Sequence, residues 1–275
     1  MKAEAATKLF MESRLHRMHT EEINMALPVP PLSFLLALLG LTVGSFLNVV
    51  AHRLPRGESL LRPRSRCPKC GHTLAAWDLV PVLSFLWLRG RCRFCRAPIS
   101  PRYPAVELCT GAFFVAAGLL LAPTWQLLRT LALGSLFITA SLIDLDTLVL
   151  PDAFTLGGAA LALLLPPGPR PAYLLGALAG CALLLFIAWA SRGGMGGGDV
   201  KLGLALGAFL GWPNVLPALF LAFFLGAAAG IGLILAKKKR RSDAVPFGPF
   251  LVAGGLGAAL WGTELLELYF RYVWR

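Results

Sequence analysis

Charged residues are scarce in this sequence. Only 15% of its 275 residues are charged, whereas about a quarter are charged in soluble globular proteins. Hydrophobic residues make up 57%, and the mean hydropathy is +0.69. This composition excludes an ordinary soluble domain and favours a protein that crosses a membrane several times.

Acidic residues are scarcer than basic ones. The chain has 14 Asp and Glu against 26 Lys and Arg, a formal net charge of +12. Such an excess does not require nucleic acid, because Lys and Arg collect in the cytoplasmic loops of membrane proteins. The basic residues concentrate in 52–103 and in the KKKRR run within 236–246. We therefore predict that both segments are cytoplasmic and that nucleic acid is not a partner.

The N-terminus lacks the apolar core of a signal peptide. Residues 1–24 mix acids with bases, and the first apolar run begins after Met25. We predict that residues 1–30 form a poorly ordered extension. Met1 and Met25 both remain candidates for the true start.

Apolar runs predict an all-α polytopic membrane protein with about eight transmembrane helices. A span needs about 20 apolar residues, so the fourth and sixth runs are short. In sequence order the runs cover roughly 31–51, 104–121, 126–143, 153–166, 171–190, 200–211, 213–235 and 248–269.

The runs divide the chain into a first transmembrane helix at 31–51, a cytoplasmic loop domain at 52–103, and a seven-helix membrane domain at 104–270. With eight spans and a cytoplasmic loop after the first, both termini are expected on the periplasmic side.

The cysteines do not form the pattern of a disulfide framework. Four of the six lie in two CxxC pairs, CPKC at 67–70 and CRFC at 92–95. Two such pairs supply the four ligands of a tetrahedral zinc, so we predict a structural zinc in a zinc-ribbon-like loop. The alternative is a pair of redox-active dithiols. The predicted ligands are Cys67, Cys70, Cys92 and Cys95.

Only five acids occur between residues 104 and 242: Glu107, Asp144, Asp146, Asp152 and Asp199. Acids within or beside a span are costly, and by default they are functional. Asp144 and Asp199 are separated by two membrane passes, so both return to the same face. Asp146 and Asp152 lie further into a link, where a surface position is the simpler interpretation.

Glycines surround Asp199 in the stretch GGMGGGDVKL (193–202). Taken alone, Asp199 is a candidate N-cap of the next helix. Together with Asp144 it forms a possible catalytic pair, because two adjacent carboxyl groups that share a proton can hydrolyse a peptide bond. Glycines beside such a pair let an extended substrate backbone approach.

Several motifs resemble those of the type IV prepilin peptidases. They are GSFLNVVAHRLPRGE, CPKCGHTL, VPVLSFLWLRGRCRFC, ISPRYPAVELCTG, IDLDTLVLPD, GMGGGDVKLGLALGAFLGW and PFGPFLVAGG. The resemblance implies a membrane aspartic protease of the GxGD type. It implies catalytic roles for Asp144 and Asp199, with Gly196 and Gly198 as the motif glycines. One departure is Asp78-Leu79-Val80-Pro81, where the family often has Asn-Ile before the proline.

The same resemblance implies the activity. Such enzymes cut the short basic leader from prepilins or pseudopilins at the cytoplasmic face of the bacterial inner membrane. Members with the cysteine-bearing loop also methylate the new N-terminus with S-adenosylmethionine. The sequence has no GxGxxG loop, so no residue is assigned to the methyl-donor site. Glu107 is either functional or the partner of a loop arginine.

Two other function classes remain open from the sequence. A cation-coupled transporter would use the same intramembrane acids, although the sequence has no convincing internal repeat. A non-catalytic zinc-ribbon scaffold is the other. The basic segments are expected to contact anionic membrane lipids. The oligomeric state is not indicated.

Overall fold

The computed structural model describes residues 29–192, 194–240, 243 and 245–273. Within these ranges the chain is helical, with two isolated β-bridges and no strand, which confirms the predicted all-α fold. The predicted disordered extension lies outside the described residues, apart from 29 and 30, which are helical. The helices are α1 Val29–Arg53, α2 Leu83–Trp87, α3 Arg102–Leu120, α4 Trp125–Thr147, α5 Asp152–Leu164, α6 Arg170–Ala190, α7 Gly197–Leu210, α8 Val215–Leu235 and α9 Gly248–Val273.

Six of the described helices are long and apolar enough to cross a membrane: α1, α3, α4, α6, α8 and α9. The other two membrane-domain helices, α5 and α7, have 13 and 14 residues. At 1.5 Å per residue they reach only about 20 Å, less than the hydrocarbon thickness of about 30 Å. They correspond to the short fourth and sixth predicted runs, and a count of eight full spans stays a prediction.

Helix α1 starts at Val29, two residues before the predicted start. Its first turn contains Pro30 and Pro31. Proline is tolerated there, because the first N–H groups of a helix have no partner within the helix. The prolines therefore lie inside the helix rather than marking its boundary.

Glycines allow α6 and α7 to pack at close range. A Cβ added at Gly176 of α6 would lie 2.5 Å from the Gly207 carbonyl oxygen of α7. One added at Gly180 would lie 2.4 Å from the carbonyl oxygen of Gly203. Small residues four apart on both helices let their backbones touch, as in other membrane helix pairs. This packing holds α7 in place along its length.

Arg129 of α4 caps the C-terminal ends of both short helices, α5 and α7. Its side chain is buried, and Nη1 donates to the Phe209 carbonyl oxygen at 3.0 Å near the end of α7. Nη2 lies 3.3 Å from the Ala162 carbonyl oxygen of α5 and 3.4 Å from that of Ala208. The last carbonyls of a helix need donors, and a cation is favourable at that end. Arg129 thus supplies what water would supply outside the membrane.

The position of Arg129 sets the level at which the short helices begin. Asp144 lies 15 residues further along α4, about 22 Å away at 1.5 Å per residue. The 14-residue α7 covers nearly the same distance. With its end fixed at Arg129, the first turn of α7 is therefore brought to the level of Asp144.

Candidate active site and metal centre

Asp144 lies in the last turn of α4 and is buried. The helix ends just beyond it, since Leu148 adopts a left-handed conformation (φ 55°) and donates its N–H to the Asp144 carbonyl oxygen. The Asp144 carboxylate accepts a 3.0 Å hydrogen bond from the N–H of Gly248. Gly248 is the first residue of α9, so this carboxylate lies at a helix N-terminus, where negative charge is stabilised.

Asp199 is the third residue of α7, and the N-cap is Gly196. The interpretation of Asp199 as the N-cap is therefore wrong, because the helix begins before it. From the third position its carboxylate interacts with the Gly196 backbone N–H, as the acid of a capping box does. Asp199 is partly buried, its neighbour Gly198 packs against Leu150 just beyond the end of α4, and its carboxylate interacts electrostatically with that of Asp144.

The structure thus brings together the two acids that the sequence placed on one membrane face. They come from α4 and α7, and the N-terminus of α9 completes the cluster. Two carboxyl groups in one partly buried site share a proton more easily than they both ionise. The arrangement can therefore offer one proton acceptor and one proton donor.

The glycines before Asp199 have different surroundings. A Cβ added at Gly198 would lie 3.1 Å from the Leu150 Cβ, tighter than ordinary van der Waals contact. One added at Gly197 would meet no atom within 4 Å, and one at Gly196 would lie 3.7 Å from Asp199 Oδ2. Of the three glycines directly before Asp199, Gly198 is therefore the one with a close packing contact, while Gly196 keeps a side chain from the edge of the acid pair.

The other two acids of the IDLDTLVLPD motif form ion pairs. Asp146 pairs with Arg102 at the start of α3, and Asp152 pairs with Lys201 of α7 at 2.7 Å. The Arg102 guanidinium also donates to the Leu142 carbonyl oxygen at 3.1 Å. Both acids are exposed, in line with the predicted surface positions, and their contacts join α4 to α3 and α5 to α7.

Glu107 is buried in α3, and its Oε2 accepts a 2.7 Å hydrogen bond from the peptide N–H of Val82. Among the described residues no arginine pairs with Glu107, so the alternative that Glu107 is the partner of a loop arginine is wrong. Val82 has a φ of 60°, which is strained for a β-branched residue.

The four paired cysteines converge on one point. Their Sγ atoms all lie within 4.8 Å of one another, and those of Cys67 and Cys95 are 3.8 Å apart. A tetrahedral zinc with bonds of about 2.3 Å separates its sulfur ligands by roughly 3.8 Å. The donor set therefore fits a metal ion of this kind.

The two CxxC turns have matching backbone geometry. Each is flanked by one β-bridge, Arg66 to Thr73 in the first and Arg91 to Pro98 in the second. The residue after each second cysteine is left-handed, with φ 70° at Gly71 and 60° at Arg96. The repeated geometry presents two pairs of sulfurs to the same centre.

The protonation of the cysteines depends on their neighbours. N–H groups of Cys70 and Lys69 lower the pKa of the Cys67 thiol to about 6, which favours the metal-binding thiolate. The N–H of Ala97 lowers the pKa of Cys95, but desolvation and the other thiols outweigh it and raise the pKa to about 11.

Comparison with known proteins decides the family. Residues 38–121 match the Bacterial Peptidase A24 N-terminal domain, and residues 131–231 match the Type IV leader peptidase family. A prepilin leader peptidase/N-methyltransferase of Aeromonas hydrophila is 41% identical over 281 residues, covering 90% of this chain and 97% of its own length. The chain belongs to the type IV leader peptidase family.

Proteins of the same name from other bacteria are also similar. The one from Burkholderia pseudomallei (strain K96243) is 40% identical over 264 residues, covering 84% of this chain and 85% of its own. The one from Bacillus subtilis (strain 168) is 35% identical over 241 residues, covering 86% and 97%. No solved structure matches the chain. The predicted family is confirmed, and nothing in these relatives supports a transporter.

The four-cysteine cluster and the acid pair both lie within the regions that match the family. The N-terminal match contains all four paired cysteines, and the peptidase match contains Asp144 and Asp199. Gly248 lies beyond the second match, yet it contacts Asp144 directly.

Sequence reasoning missed the roles of Gly248 and Arg129. Gly248 is part of the PFGPF motif, but its contact with Asp144 joins residues 104 positions apart, which no local pattern predicts. Arg129 is a lone charge inside an apolar run. That signal was sufficient to mark it, since a charged residue within a span is paired or functional.

Proposed function

We propose that this chain cleaves the leader peptide of type IV prepilins or pseudopilins with Asp144 and Asp199 as the catalytic pair. The observation that carries the proposal is the convergence of these acids from α4 and α7 in a member of the leader peptidase family. The Gly248 N–H supports it, because it orients the Asp144 carboxylate.

The chemistry follows from a shared proton. The ionised carboxylate accepts a proton from water as the water oxygen attacks the scissile carbonyl carbon. The neutral carboxyl donates a hydrogen bond to the carbonyl oxygen, which gains negative charge. When the C–N bond breaks, a carboxyl proton passes to the departing amine. The two acids titrate as one unit, so neither role is tied to one residue.

The proposed second activity is methylation of the amine that this cleavage exposes. Its support is the name shared by relatives that align with most of the chain. S-adenosylmethionine would supply the methyl group. The described residues do not define a site for it, so no step is assigned to a side chain.

Zinc is the metal proposed for Cys67, Cys70, Cys92 and Cys95. Four thiolates would fill the coordination shell and leave no open position for water or substrate, so the ion would serve the fold of residues 54–101. These residues contain no long helix, and none of them belongs to the three hydrophobic clusters of the described core. Metal binding would therefore supply much of their folding free energy.

We place the enzyme in the bacterial inner membrane, with its active site at the cytoplasmic face and both termini periplasmic. The Arg102–Asp146 ion pair supports this placement. It joins the start of α3 to the end of α4 that carries Asp144, and the start of α3 directly follows the basic residues 54–101. Basic segments mark the cytoplasmic side. Anionic lipids at that face are the expected lipid partners.

The test is co-expression of a prepilin with Asp144→Asn, Asp199→Asn and, as a matched control, Asp146→Asn. We expect the first two variants to leave the leader attached and the control to cleave it. Mass spectrometry of the prepilin N-terminus reports the cut and the added methyl group together. Cleavage at the normal rate by either dyad variant would remove that residue from the mechanism.

A further inference from the structure

An exposed apolar stretch lies between the two CxxC turns. Residues 77–87 read WDLVPVLSFLW, and Trp77 and Trp87 are 75% and 86% exposed. Leu83 and Leu86 are also exposed; with Trp87 they lie on one face of the short α2. Soluble surfaces rarely carry such a continuous apolar patch without a partner.

The stretch is fixed to the start of a membrane span. The Val82 N–H in its middle bonds to the Glu107 carboxylate, which is buried five residues after the start of α3. At 1.5 Å per residue, Glu107 lies about 7 Å along that helix. Residues 54–101, which contain this stretch, connect the end of α1 to the start of α3. The stretch is therefore held close to the membrane boundary rather than extended into the solvent.

Charge distinguishes between possible partners. Residues 54–101 contain nine Lys and Arg but only two acids, Glu58 and Asp78. Asp78 is already paired with Arg93 at 2.7 Å. This excess positive charge repels a basic leader peptide and attracts anionic lipid head groups. Tryptophan is also enriched where protein meets the membrane interface.

We propose that residues 77–87 form an interfacial membrane anchor, which inserts Trp77, Leu83, Leu86 and Trp87 among anionic lipids, with Glu107 as its tether. The anchor holds residues 54–101 against the membrane surface, next to the end of α1 and the start of α3. The inference goes beyond the proposed peptidase chemistry and does not depend on the acid pair.

The experiment places a photo-crosslinking p-benzoyl-phenylalanine at position 87 of the full chain, reconstituted in vesicles of phosphatidylethanolamine and phosphatidylglycerol. Position 69, an exposed lysine in the first CxxC turn, is the control. We expect lipid adducts at 87, identified by mass spectrometry, and at least threefold fewer at 69. Adducts at 87 to prepilin or to a second copy of the chain, or no adduct, would overturn the proposal.

Two further arms separate the parts of the proposal. In phosphatidylcholine vesicles we expect at least twofold fewer lipid adducts at 87, and an equal yield would contradict the role of anionic lipid. Glu107→Ala should lower the yield at least threefold, whereas Glu107→Gln keeps an acceptor oxygen and should not. An unchanged yield in Glu107→Ala would contradict the tether. Prepilin cleavage by the same preparations shows that each variant is folded.

Discussion

At the scale of single residues, the two glycines directly before Asp199 differ in the space around them. Gly198 faces Leu150, while Gly197 is open. We predict that Gly198→Ala slows prepilin cleavage roughly three- to tenfold, because α7 or Leu150 must move by tenths of an ångström and catalysis is sensitive to such displacements.

The matched variant Gly197→Ala should cleave at the normal rate, since a methyl group there meets nothing and alanine favours the helix. Rates of prepilin cleavage in detergent check both variants. Equal losses in the two would show that packing against Leu150 is not the reason for glycine at 198.

Gly248 provides a second prediction at this scale. A Cβ there would lie 2.7 Å from Asp144 Oδ2, too close for the present position of the carboxylate. Gly248→Ala should therefore displace Asp144 and reduce the cleavage rate by up to about a hundredfold, the size of loss that a misplacement of about 1 Å can cause. Substrate binding, measured as KM, should change little. A raised KM with normal kcat would instead place Gly248 in substrate binding.

The residues of the pair could be predicted from the sequence, because acids are rare in spans and the membrane passes fix which face each acid returns to. Their surroundings could not. The N–H that orients Asp144 comes from α9, and the first turn of α7 packs through Gly198 against Leu150. Both contacts join residues distant in the chain.

At the scale of helices, one buried arginine determines where the two short helices end. Arg129→Met would leave carbonyls at the ends of α5 and α7 without donors in an apolar region. Each of the three unsatisfied carbonyls costs about 1–3 kcal/mol, so we expect a loss of at least about 3 kcal/mol in the free energy of unfolding.

The measurement is unfolding in detergent, with Arg170→Met as the control, because Arg170 is exposed at the start of α6. Arg129→Lys should lie between the two, since an ammonium cannot span three carbonyls as a guanidinium does. Stability as high as that of the control would contradict the capping role.

The existence of short fourth and sixth helices was predictable from the length of their apolar runs. Their ends were not, because a helix that stops inside a membrane needs a donor from another helix. The sequence shows Arg129 but not which carbonyls it reaches. That residues 52–103 form a separate cytoplasmic domain likewise stays a prediction.

At the scale of the whole molecule, the four-cysteine cluster and the acid pair lie in separate parts of the chain. Removal of the proposed zinc should loosen residues 54–101 and leave the helices of the membrane region assembled, because the four Sγ atoms lie within 4.8 Å of one another and all four cysteines lie in the segment between α1 and α3. We predict one zinc per chain by elemental analysis. Chelation should increase proteolysis within 54–101, and Cys67→Ser should have the same effect. Cleavage sites spread over the spans after chelation would contradict this separation.

The central claim is that Asp144 and Asp199 act as one unit, and a double-mutant cycle tests it most directly. Prepilin cleavage is measured, by mass spectrometry of the client N-terminus, for Asp144→Asn, Asp199→Asn and the variant with both changes. Groups that act together are strongly non-additive, so the double variant should be no slower than the slower single variant. If the two losses multiply, or if one single variant keeps the normal rate, the acids do not form a catalytic pair.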